Sequence, residues 1–568
     1  MKSRQYSQAG QRISRRTAIR RLVAGATGVS LVTVLGCQPS NSSPAASGTP
    51  KPASSGATAA GATGSGTPKR GGTLVAALAN DITGLDPQLD RGGTNTLAEQ
   101  QMYDSLYRYV SGGTAYEPAL AERYEATPDG LTYTFSLRQG LKYHDGTPLD
   151  AASYKFALER EAYADNPYHQ GGAFGSWTQF WGAGFPGDVD AINAIDPHTL
   201  QFKLHRPVVD AMFAFADMTM AAISPEAIKL DAANWGKKPV GAGIGPFVFE
   251  EWQTNERLVF RRADAYWESD RPYLDRLIFR PMMEPSTRLL ALQTGEIQAT
   301  SISGNELKDL ENNTAVRIVK GPPGPEAYLG MNHQDPIIGL KPVRQAISQA
   351  LNREQLIKQL MPDTAVVAQN HGLFPGMAGY RTDLKWYPYD PQRAKQLLSE
   401  AGFPNGFDVT LAYIKEGGII PDVGAMVQAI QGELAKVGIR VKLQLVEQTS
   451  FVQNLRADAK TGALAYQMLL NTAGNRGDSQ ALLRVWGGYT NYAFVQPGYT
   501  DLLNQAAIEP DEAKRQAIWG QMQQKLYDDV AYIPLAHSQS TIAARKEVNG
   551  LKAPFSEWPI YFKDVWLG

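Results

Sequence analysis

The stretch 115–160 constrains the fold most, because it combines turn chemistry with a strand pattern and a helix start. Its Pro-Asp-Gly sequence at 128–130 favours a tight turn, since Pro presets φ at the first corner and Gly accepts a positive φ. From 131 to 138 apolar and polar residues alternate, which is the period of a half-buried strand. After a second turn at 144–146, Asp150 can cap a helix. The stretch therefore predicts a strand hairpin followed by a helix.

Length and charge limit the architecture and the partners. The chain has 568 residues, which exceeds the roughly 250–300 residues that a single core usually supports. At least two lobes are therefore expected. The net charge of −1 provides no bulk field for nucleic acid, so no nucleic-acid partner is expected. A single cysteine, Cys37, excludes a disulfide within the chain.

The first 36 residues have the pattern of an export signal. Arg15 and Arg16 lie in a sequence that resembles a twin-arginine motif, although Ala18 stands where Phe is common. The export route, twin-arginine or general secretory, therefore stays open. Residues 22–35 carry no charge, but they are fewer than the ~20 apolar residues that a membrane span needs. We interpret 1–36 as a signal peptide.

Cys37 ends a Val-Leu-Gly-Cys sequence that resembles a bacterial lipobox. The resemblance implies a lipidated Cys37 that anchors the protein to the cell membrane. The alternative is a small buried cysteine beside an ordinary signal cleavage site. Residues 38–68 contain no aliphatic residue larger than Ala and no aromatic residue, so they cannot bury enough apolar surface to order themselves. We assign 37–70 to the lipidated cysteine and a flexible tether.

The order of elements in 115–160 resembles the signature region of the family 5 extracellular solute-binding proteins. Further pieces of this resemblance follow along the chain: Gly-Gly-Thr-Leu at 71–74, Leu-Asp-Pro at 85–87 and Gly-Ile-Gly-Pro-Phe at 243–247. This family contains the dipeptide, oligopeptide and nickel receptors of ABC importers. The resemblance implies an α/β fold with two periplasmic-binding-protein-like lobes, of type II and the large cluster. It further implies mixed sheets, a hinge and a cleft between the lobes.

The same resemblance implies a domain plan. Lobe one is expected at 71–325, with an extra subdomain at about 103–239. Lobe two is expected at 326–539, and 540–568 should return to lobe one. Within lobe two, the pattern from 409 to 446 predicts a βαβ unit and hence parallel strands.

Three local expectations come with this plan. A helix is expected from Thr96 to Tyr109. Trp177 and Trp181 are four residues apart and would share one face of a helix; core packing is the favoured role of these rings. The glycines at 243 and 245 favour a close backbone approach, which we expect at a crossing between the lobes.

The candidate ligand contacts of lobe two follow from the resemblance. In peptide-binding relatives, a carboxylate in an Asp-x-x-Asp/Glu-Pro segment pairs with the α-amino group of the ligand. The matching run here is 475–479, where Asn475 replaces the first acid and Asp478 keeps a carboxylate. An amide loses the charge-assisted bond to an ammonium, so a strict short-peptide ligand is disfavoured. Lys415 is the nearest candidate for a far carboxylate. Trp486 is a candidate stacking surface, with core packing at least as favoured.

Three more candidate contacts lie elsewhere. Asn80 and Asp81 begin a loop that is similar to the family loop bordering the ligand, with a plain surface turn as the alternative. Asn332 ends the run 328–332 that opens the second lobe, and it is included as a candidate contact.

Motifs of catalysis and metal binding are missing from the sequence. The seven histidines show no metal-ligand spacing, and neither a Gly-x-Ser-x-Gly elbow nor a P-loop occurs. We therefore expect no enzyme activity, no metal and no cofactor. The expected partners are a peptide or another small polar solute, ABC permease subunits, and a membrane through the lipid on a monomeric extracytoplasmic protein. Two alternatives stay open: a secreted hydrolase of peptides or esters, and a ligand-independent extracellular chaperone or scaffold.

Overall fold

The computed structural model describes residues 66–89, 93–113, 115–182, 184–208, 211–310, 312–415, 418–448, 450–451, 466–474, 479–486, 498–509, 511–555 and 560–568. The strands are β1 Thr73–Leu78, β2 Tyr107–Tyr109, β3 Tyr116–Pro118, β4 Ala121–Ala126, β5 Thr132–Leu137, β6 Val189–Asp196, β7 Thr199–Leu204, β8 Phe247–Gln253, β9 Arg257–Arg262, β10 Arg276–Pro281, β11 Ala299–Ser301, β12 Val316–Met331, β13 Ala365–Val367, β14 Asp408–Tyr413, β15 Arg440–Leu445, β16 Met468–Ala473, β17 Tyr532–Arg545, β18 Val548–Asn549 and β19 Trp566–Leu567. The helices are α1 Gly93–Met102, α2 Ala151–Ala162, α3 Gly175–Trp181, α4 Ala211–Ala216, α5 Pro225–Leu230, α6 Pro285–Thr294, α7 Gly304–Leu310, α8 Lys341–Ala350, α9 Arg353–Leu360, α10 Pro391–Glu400, α11 Val423–Ala435, α12 Ser479–Arg484, α13 Tyr499–Ile508 and α14 Glu512–Asp528. Among these helices none is both long and apolar enough to cross a bilayer.

The hairpin and helix predicted for 115–160 are confirmed. β4 and β5 pair antiparallel, and Gly130 in the turn has a φ of 66°. The Asp129 carboxylate accepts the Leu131 N–H at 3.0 Å. Asp150 caps α2 in a capping box, in which its Oδ1 accepts the Ser153 N–H at 2.8 Å.

A four-stranded antiparallel sheet forms a satellite subdomain, with the order β4-β5-β7-β6. Its core is aromatic. Trp181 stacks on Phe202 with ring centroids 6.1 Å apart, and Phe215 packs against Phe135 at 4.7 Å. Trp177 and Trp181 both lie on α3, and at most 1% of either side chain is exposed. The predicted core role of these two rings is confirmed.

One mixed sheet of 11 strands runs through the rest of the protein. Its order is β15-β14-β16-β12-β17-β11-β1-β10-β9-β8, with β13 paired to β17. β14, α11 and β15 form the predicted βαβ unit with parallel strands. Two hydrophobic clusters cover the two halves of the sheet, one around β1 and β10 and the other around β14 and α11. Together with the satellite subdomain, this gives the predicted two-lobed α/β fold.

β12 and β17 cross from one lobe to the other as an antiparallel pair. Their register shifts twice at the Gly-Pro-Pro-Gly-Pro sequence 321–325, where β12 has an extra residue between Lys320 and Pro323 and another between Pro323 and Glu326. Such bulges bend a strand and increase its twist. We call the paired stretches 321–326 and 537–541 the crossing. The sheet therefore bends where the two lobes meet.

The helix expected from Thr96 to Tyr109 was predicted too long. α1 ends at Met102, and Tyr107–Tyr109 is the strand β2, paired with β3. The Met102 carbonyl accepts the N–H groups of Ile244 and Gly245 at 3.1 and 2.9 Å. These tertiary bonds satisfy a helix-terminal carbonyl and end the helix, and no local signal in the sequence reports them.

The glycines at 243 and 245 do allow a close backbone approach, but not at a crossing between lobes. A Cβ on Gly245 would lie 2.6 Å from the Tyr103 nitrogen. His144 lies in the turn between β5 and α2, and its backbone N–H donates to the Gly243 carbonyl at 2.8 Å. The loop therefore joins α1 to the satellite subdomain, within the region predicted as lobe one.

Candidate functional site

The strands of the first lobe direct their carboxyl ends toward the crossing. β1 runs parallel to β10 and β11. β11 is antiparallel to β17, with Ser301 opposite Ile542 and Ala299 opposite Ala544. Since β17 enters this lobe from the crossing at 537–541, the carboxyl ends of β1, β10 and β11 lie on the side of the crossing.

The strands of the second lobe point the opposite way along the sheet. β14 runs parallel to β15 and β16. β16 is antiparallel to β12, with Ala473 opposite Glu326 and Met468 opposite Met331. The carboxyl ends of β14, β15 and β16 therefore also lie toward the crossing.

The carboxyl edges of both lobes face each other across the crossing. In open α/β sheets, ligands bind outside the carboxyl ends of the strands, and small-molecule sites favour the junction of two lobes. Ser538, Gln539 and Ser540 of β17 lie in the crossing and are half-exposed. The candidate site is the gap between the two edges, with these residues along its base.

Asn80 and Asp81 follow β1 at this edge of the first lobe. Asn80 is exposed. The Asp81 carboxylate already accepts two backbone N–H groups, from Ile82 at 2.8 Å and from Asn255 at 2.7 Å. Asp81 therefore links the turn between β8 and β9 to the loop after β1 by hydrogen bonds. Asn80 is the more accessible of the two side chains.

Lys415 lies at the corresponding edge of the second lobe. Lys415 is exposed two residues beyond the end of β14. Asn475 and Asp478 lie outside the described residues, in the segment between β16 and α12. Since β14 and β16 are adjacent and parallel, their carboxyl ends bring Lys415 and Gly474 to the same edge.

Asn332 lies at the other end of the second lobe. Its backbone N–H donates to Gln467, just before β16, and its side chain accepts the Gln334 N–H at 2.8 Å. It follows Glu326 by six positions, a distance of about 20 Å along an extended strand. The asparagine closes a turn far from the facing edges, and we leave it out of the candidate site.

Trp486 is packed inside the second lobe. Its side chain is 1% exposed, and its ring stacks on Tyr532 with centroids 3.9 Å apart and an interplanar angle of 12°. The indole N–H donates to the Gly372 carbonyl at 2.9 Å. Both the ring and its donor are occupied in this conformation, so we also leave Trp486 out of the candidate site.

Sequence reasoning missed the polar residues of the crossing. Ser538, Gln539 and Ser540 belong to a polar run inside β17, between the largely apolar stretches 532–536 and 542–544. Glu326 is the single charged residue in the apolar half of β12. The sequence could have predicted this site, because a polar run inside an otherwise buried strand indicates that the strand is exposed there.

No cluster of three or more metal-ligating side chains occurs within the described part of the chain. A cavity of about 700 Å³ opens on the satellite subdomain and is lined by residues such as Arg123, Arg138, Lys142 and Trp267. It belongs to the junction of β4, β5 and the Trp267 loop rather than to the facing strand edges. The gap at the crossing therefore remains the candidate site.

Comparisons with known proteins agree with this arrangement. The family model described as bacterial extracellular solute-binding proteins, family 5 middle, matches residues 115–494. The dipeptide-binding protein of Escherichia coli (strain K12) is 30% identical over 508 residues, covering 84% of this chain and 91% of that protein. Heme-binding protein A of Haemophilus influenzae is 28% identical, covering 85% and 90%.

Solved structures extend the agreement to the fold. HbpA2 from Haemophilus parasuis has a TM-score of 0.78 at 25% identity, covering 88% of this chain and all of that one. DppA from Helicobacter pylori, in complex with the peptide STSA, has a TM-score of 0.68 at 27% identity, covering 88% and 98%. The match of the family model over most of the chain, the relatives and the common two-lobed fold lead to one conclusion: the chain belongs to family 5 of the bacterial extracellular solute-binding proteins.

Proposed function

We propose that this protein captures a peptide or a related small polar solute between its two lobes and delivers it unchanged to the permease of an ABC importer. The observation that carries the proposal is the arrangement of the sheet, in which the carboxyl edges of both lobes face each other across two crossing strands. Movement about two strands lets such lobes close on a solute and open to release it.

The names of the relatives support a polar organic ligand. They are a dipeptide-binding protein, a glutathione-binding protein and a heme-binding protein. We infer that Asn80, Lys415, Asn475 and Asp478 line the ligand together with the half-exposed polar residues of the crossing. Lys415 would pair with an anionic group, and Asp478 with a cationic one.

We also infer the domain limits given above. The proposed boundaries at 325/326 and 539/540 both fall in the crossing, where the register of β12 and β17 shifts, and this supports them. The satellite sheet, at 121–204, falls within the proposed extra subdomain at 103–239. We propose that the protein acts as a monomer.

A panel of di- to tetrapeptides, glutathione and hemin should include a ligand that stabilises the purified protein. A ligand that binds only the folded state at 100 times its Kd adds about 2.7 kcal/mol to the free energy of unfolding. Differential scanning fluorimetry measures the shift, and mass spectrometry of the recovered ligand shows whether it is unchanged. Conversion of a ligand would favour the hydrolase, and no stabilisation by a panel widened to opines and sugars would favour the scaffold.

Asp478→Asn is expected to weaken the binding of a cationic ligand at least tenfold by isothermal titration calorimetry, because charge-assisted hydrogen bonds are about twice as strong as neutral ones. Asp408→Asn is the matched control, since Asp408 is exposed at the opposite end of β14, and it should leave the affinity unchanged. Equal affinities of the parent and Asp478→Asn would remove Asp478 from the site.

We propose that the protein is exported through Arg15 and Arg16 and held at the membrane by a lipid on Cys37. Cys37→Ser is expected to move the protein from the membrane fraction to the soluble extracytoplasmic fraction, since the acyl chains supply the anchor. Immunoblots of the separated fractions measure this change. Membrane association that persists in Cys37→Ser would reject the lipid anchor.

A further inference from the structure

Side chains complete the backbone ladder of the crossing. Pro322, Pro323 and Pro325 have no N–H to donate. On the facing strand, Gln539 Nε2 donates to the Gly321 carbonyl at 3.0 Å, Ser538 Oγ donates to the Pro325 carbonyl at 3.3 Å, and His537 Nδ1 donates to the Gly324 carbonyl at 3.1 Å. These rotatable groups hold the strands together where the lobes meet.

The bond from His537 fixes the tautomer of its ring. With the proton on Nδ1, the neutral imidazole leaves Nε2 as an acceptor. That nitrogen lies 3.7 Å from Glu326 Oε2 on β12, and both side chains are 1% exposed or less. An acid and a base thus face each other across the crossing, one on each strand.

Other groups around this pair are mostly neutral. Tyr532 on β17 accepts the Gly372 N–H at 2.7 Å, and its hydroxyl group interacts electrostatically with Glu326. Arg353 on α9 is the cation that acts on Glu326, and it donates to the carbonyls of Ala368 and Pro534. Among the described residues, Tyr328 and Tyr380 also interact electrostatically with Glu326.

Burial favours the uncharged form of both members of the pair. Desolvation raises the pKa of Glu326 well above its ordinary value, and the nearby Tyr532 hydroxyl and Arg353 offset only part of this. Desolvation lowers the pKa of His537 to about 4, with the Gly324 bond acting in the opposite direction. The packed crossing therefore favours a protonated carboxyl facing a neutral imidazole.

An aromatic ring of the second lobe covers this pair, beside a segment that packs in both cores. Phe374 lies 5.4 Å from the His537 ring and 6.3 Å from the Phe555 ring. Phe555 packs in the core of the second lobe, whereas Ala553, two residues earlier, packs in the core around β1 and β10. The segment 553–555 therefore connects the two cores next to the ring that packs on His537.

We propose that movement of the lobes about the crossing is coupled to protons on Glu326 and His537, with the pair neutral when the crossing is packed as here and hydrated and ionised when the lobes open. This inference rests on the proposed function only in that opening and closing accompany ligand capture. It assigns a regulation of the same cleft, namely a dependence of closure on pH.

The direction of the effect follows from ordinary pKa values, which are about 4.3 for Glu and 6.5 for His. Above pH ~6.5 an open crossing holds an ionised Glu326 and a neutral His537, so packing of the crossing takes up one proton. The equilibrium constant for packing therefore falls up to tenfold for each pH unit. Between pH ~4.5 and 6.5 the open pair is an ion pair, and packing passes the proton from His537 to Glu326. No net proton is taken up there, and the equilibrium is flat.

Spin labels on the two lobes test this without any ligand. In the full chain carrying Cys37→Ser, cysteines at the exposed positions Leu290 and Ile508 report the distance between lobes by pulsed electron paramagnetic resonance. We expect the fraction with the short distance to fall from pH 7 to pH 9 and to stay constant from pH 5 to 6.5. A distance distribution that is identical at every pH overturns the proposal.

Two variants test whether Glu326 and His537 cause the pH dependence of the distance between the lobes. Glu326→Gln keeps the shape and removes the titration, so its distances should not change above pH 7; a response equal to the parent's overturns the proposal. Glu433→Gln is the control, a buried carboxylate on α11 bonded to Lys436, and it should respond as the parent does. His537→Asn can keep the bond to Gly324 and lacks Nε2, so a response should now appear between pH 5 and 6.5; a flat profile there overturns the proton transfer.

The outcome is independent of ligand binding. A protein that is stabilised by the peptide panel but shows no pH response rejects only the proton coupling. A protein that responds to pH but binds nothing in the panel rejects only the proposed function.

Discussion

Replacing Arg160 with Met is expected to lower the free energy of unfolding by about 3–5 kcal/mol, because it leaves a buried carboxylate without its counter-charge. Arg160 is fully buried on α2. Its Nη1 and Nη2 donate to the two carboxylate oxygens of Asp86 at 3.2 and 2.8 Å. Gln88 Oε1 accepts a further bond at 2.8 Å.

The remaining donors of this guanidinium reach backbone carbonyls. Nε donates to Tyr168 at 3.0 Å, and Nη2 donates to Gln170 and Ala232 at 3.2 Å each. Every bond would be lost at once in the Met variant. Asp86 lies in the loop after β1 that carries Asn80, so the loss also loosens this edge of the proposed site.

Arg206→Met is the matched control for Arg160→Met. Arg206 pairs with Asp188 at 2.6 Å, but its side chain is 69% exposed, and exposed pairs contribute at most about 1 kcal/mol. Urea unfolding followed by tryptophan fluorescence gives both values. Similar losses in the two variants would contradict the assigned importance of burial.

Gly324→Ala is expected to destabilise the protein by about 3 kcal/mol, at the upper end of the usual range for overpacking. A Cβ on Gly324 would overlap the carbonyl oxygen of Phe555, and one on Gly321 would overlap that of Pro554. In both cases the obstacle is backbone, which cannot rotate aside. The variant must displace the segment 553–555 or the crossing itself.

Gly432→Ala is the corresponding control. Gly432 lies inside α11, and nothing occupies the space where its Cβ would be. Since Ala is about 1 kcal/mol more favourable than Gly in a helix, this variant should be more stable than the parent. Thermal melts of both variants measure the difference, and a Gly324→Ala variant as stable as the parent would show that the C-terminal segment yields easily.

Much of the fold could be predicted from local sequence patterns. The capped helix α2 and the βαβ unit around α11 were predictable because turn residues, caps and alternation act within a few positions. The end of α1 was not, since the groups that stop it come from Ile244 and Gly245, far along the chain. Long-range bonds of this kind leave no periodic trace.

The candidate site was predictable only in part. Asn80 and Lys415 came from the family resemblance and stay candidate contacts, since they follow β1 and β14 at the facing edges. Asn332 and Trp486 were chosen by residue type and position in the chain, and type does not report which end of a strand faces the other lobe or whether a ring is covered. The direction of β12 puts Asn332 at the end of the strand away from the other lobe. The stacking of Trp486 on Tyr532 covers its ring. The contact between Glu326 and His537 could not be predicted from the sequence, because it depends on the register of two strands about 210 positions apart.

The return of the chain to its first lobe has a consequence for biogenesis. The core around β1 and β10 includes Ala544, Val548, Phe562 and Val565 beside Leu74 and Leu277. A nascent polypeptide that still lacks residues 544–565 therefore cannot complete that core. The second lobe, built from one nearly continuous interval, has no such delay. We expect it to mature first, with the amino-terminal lobe completing its core only after residues 544–565 have left the ribosome.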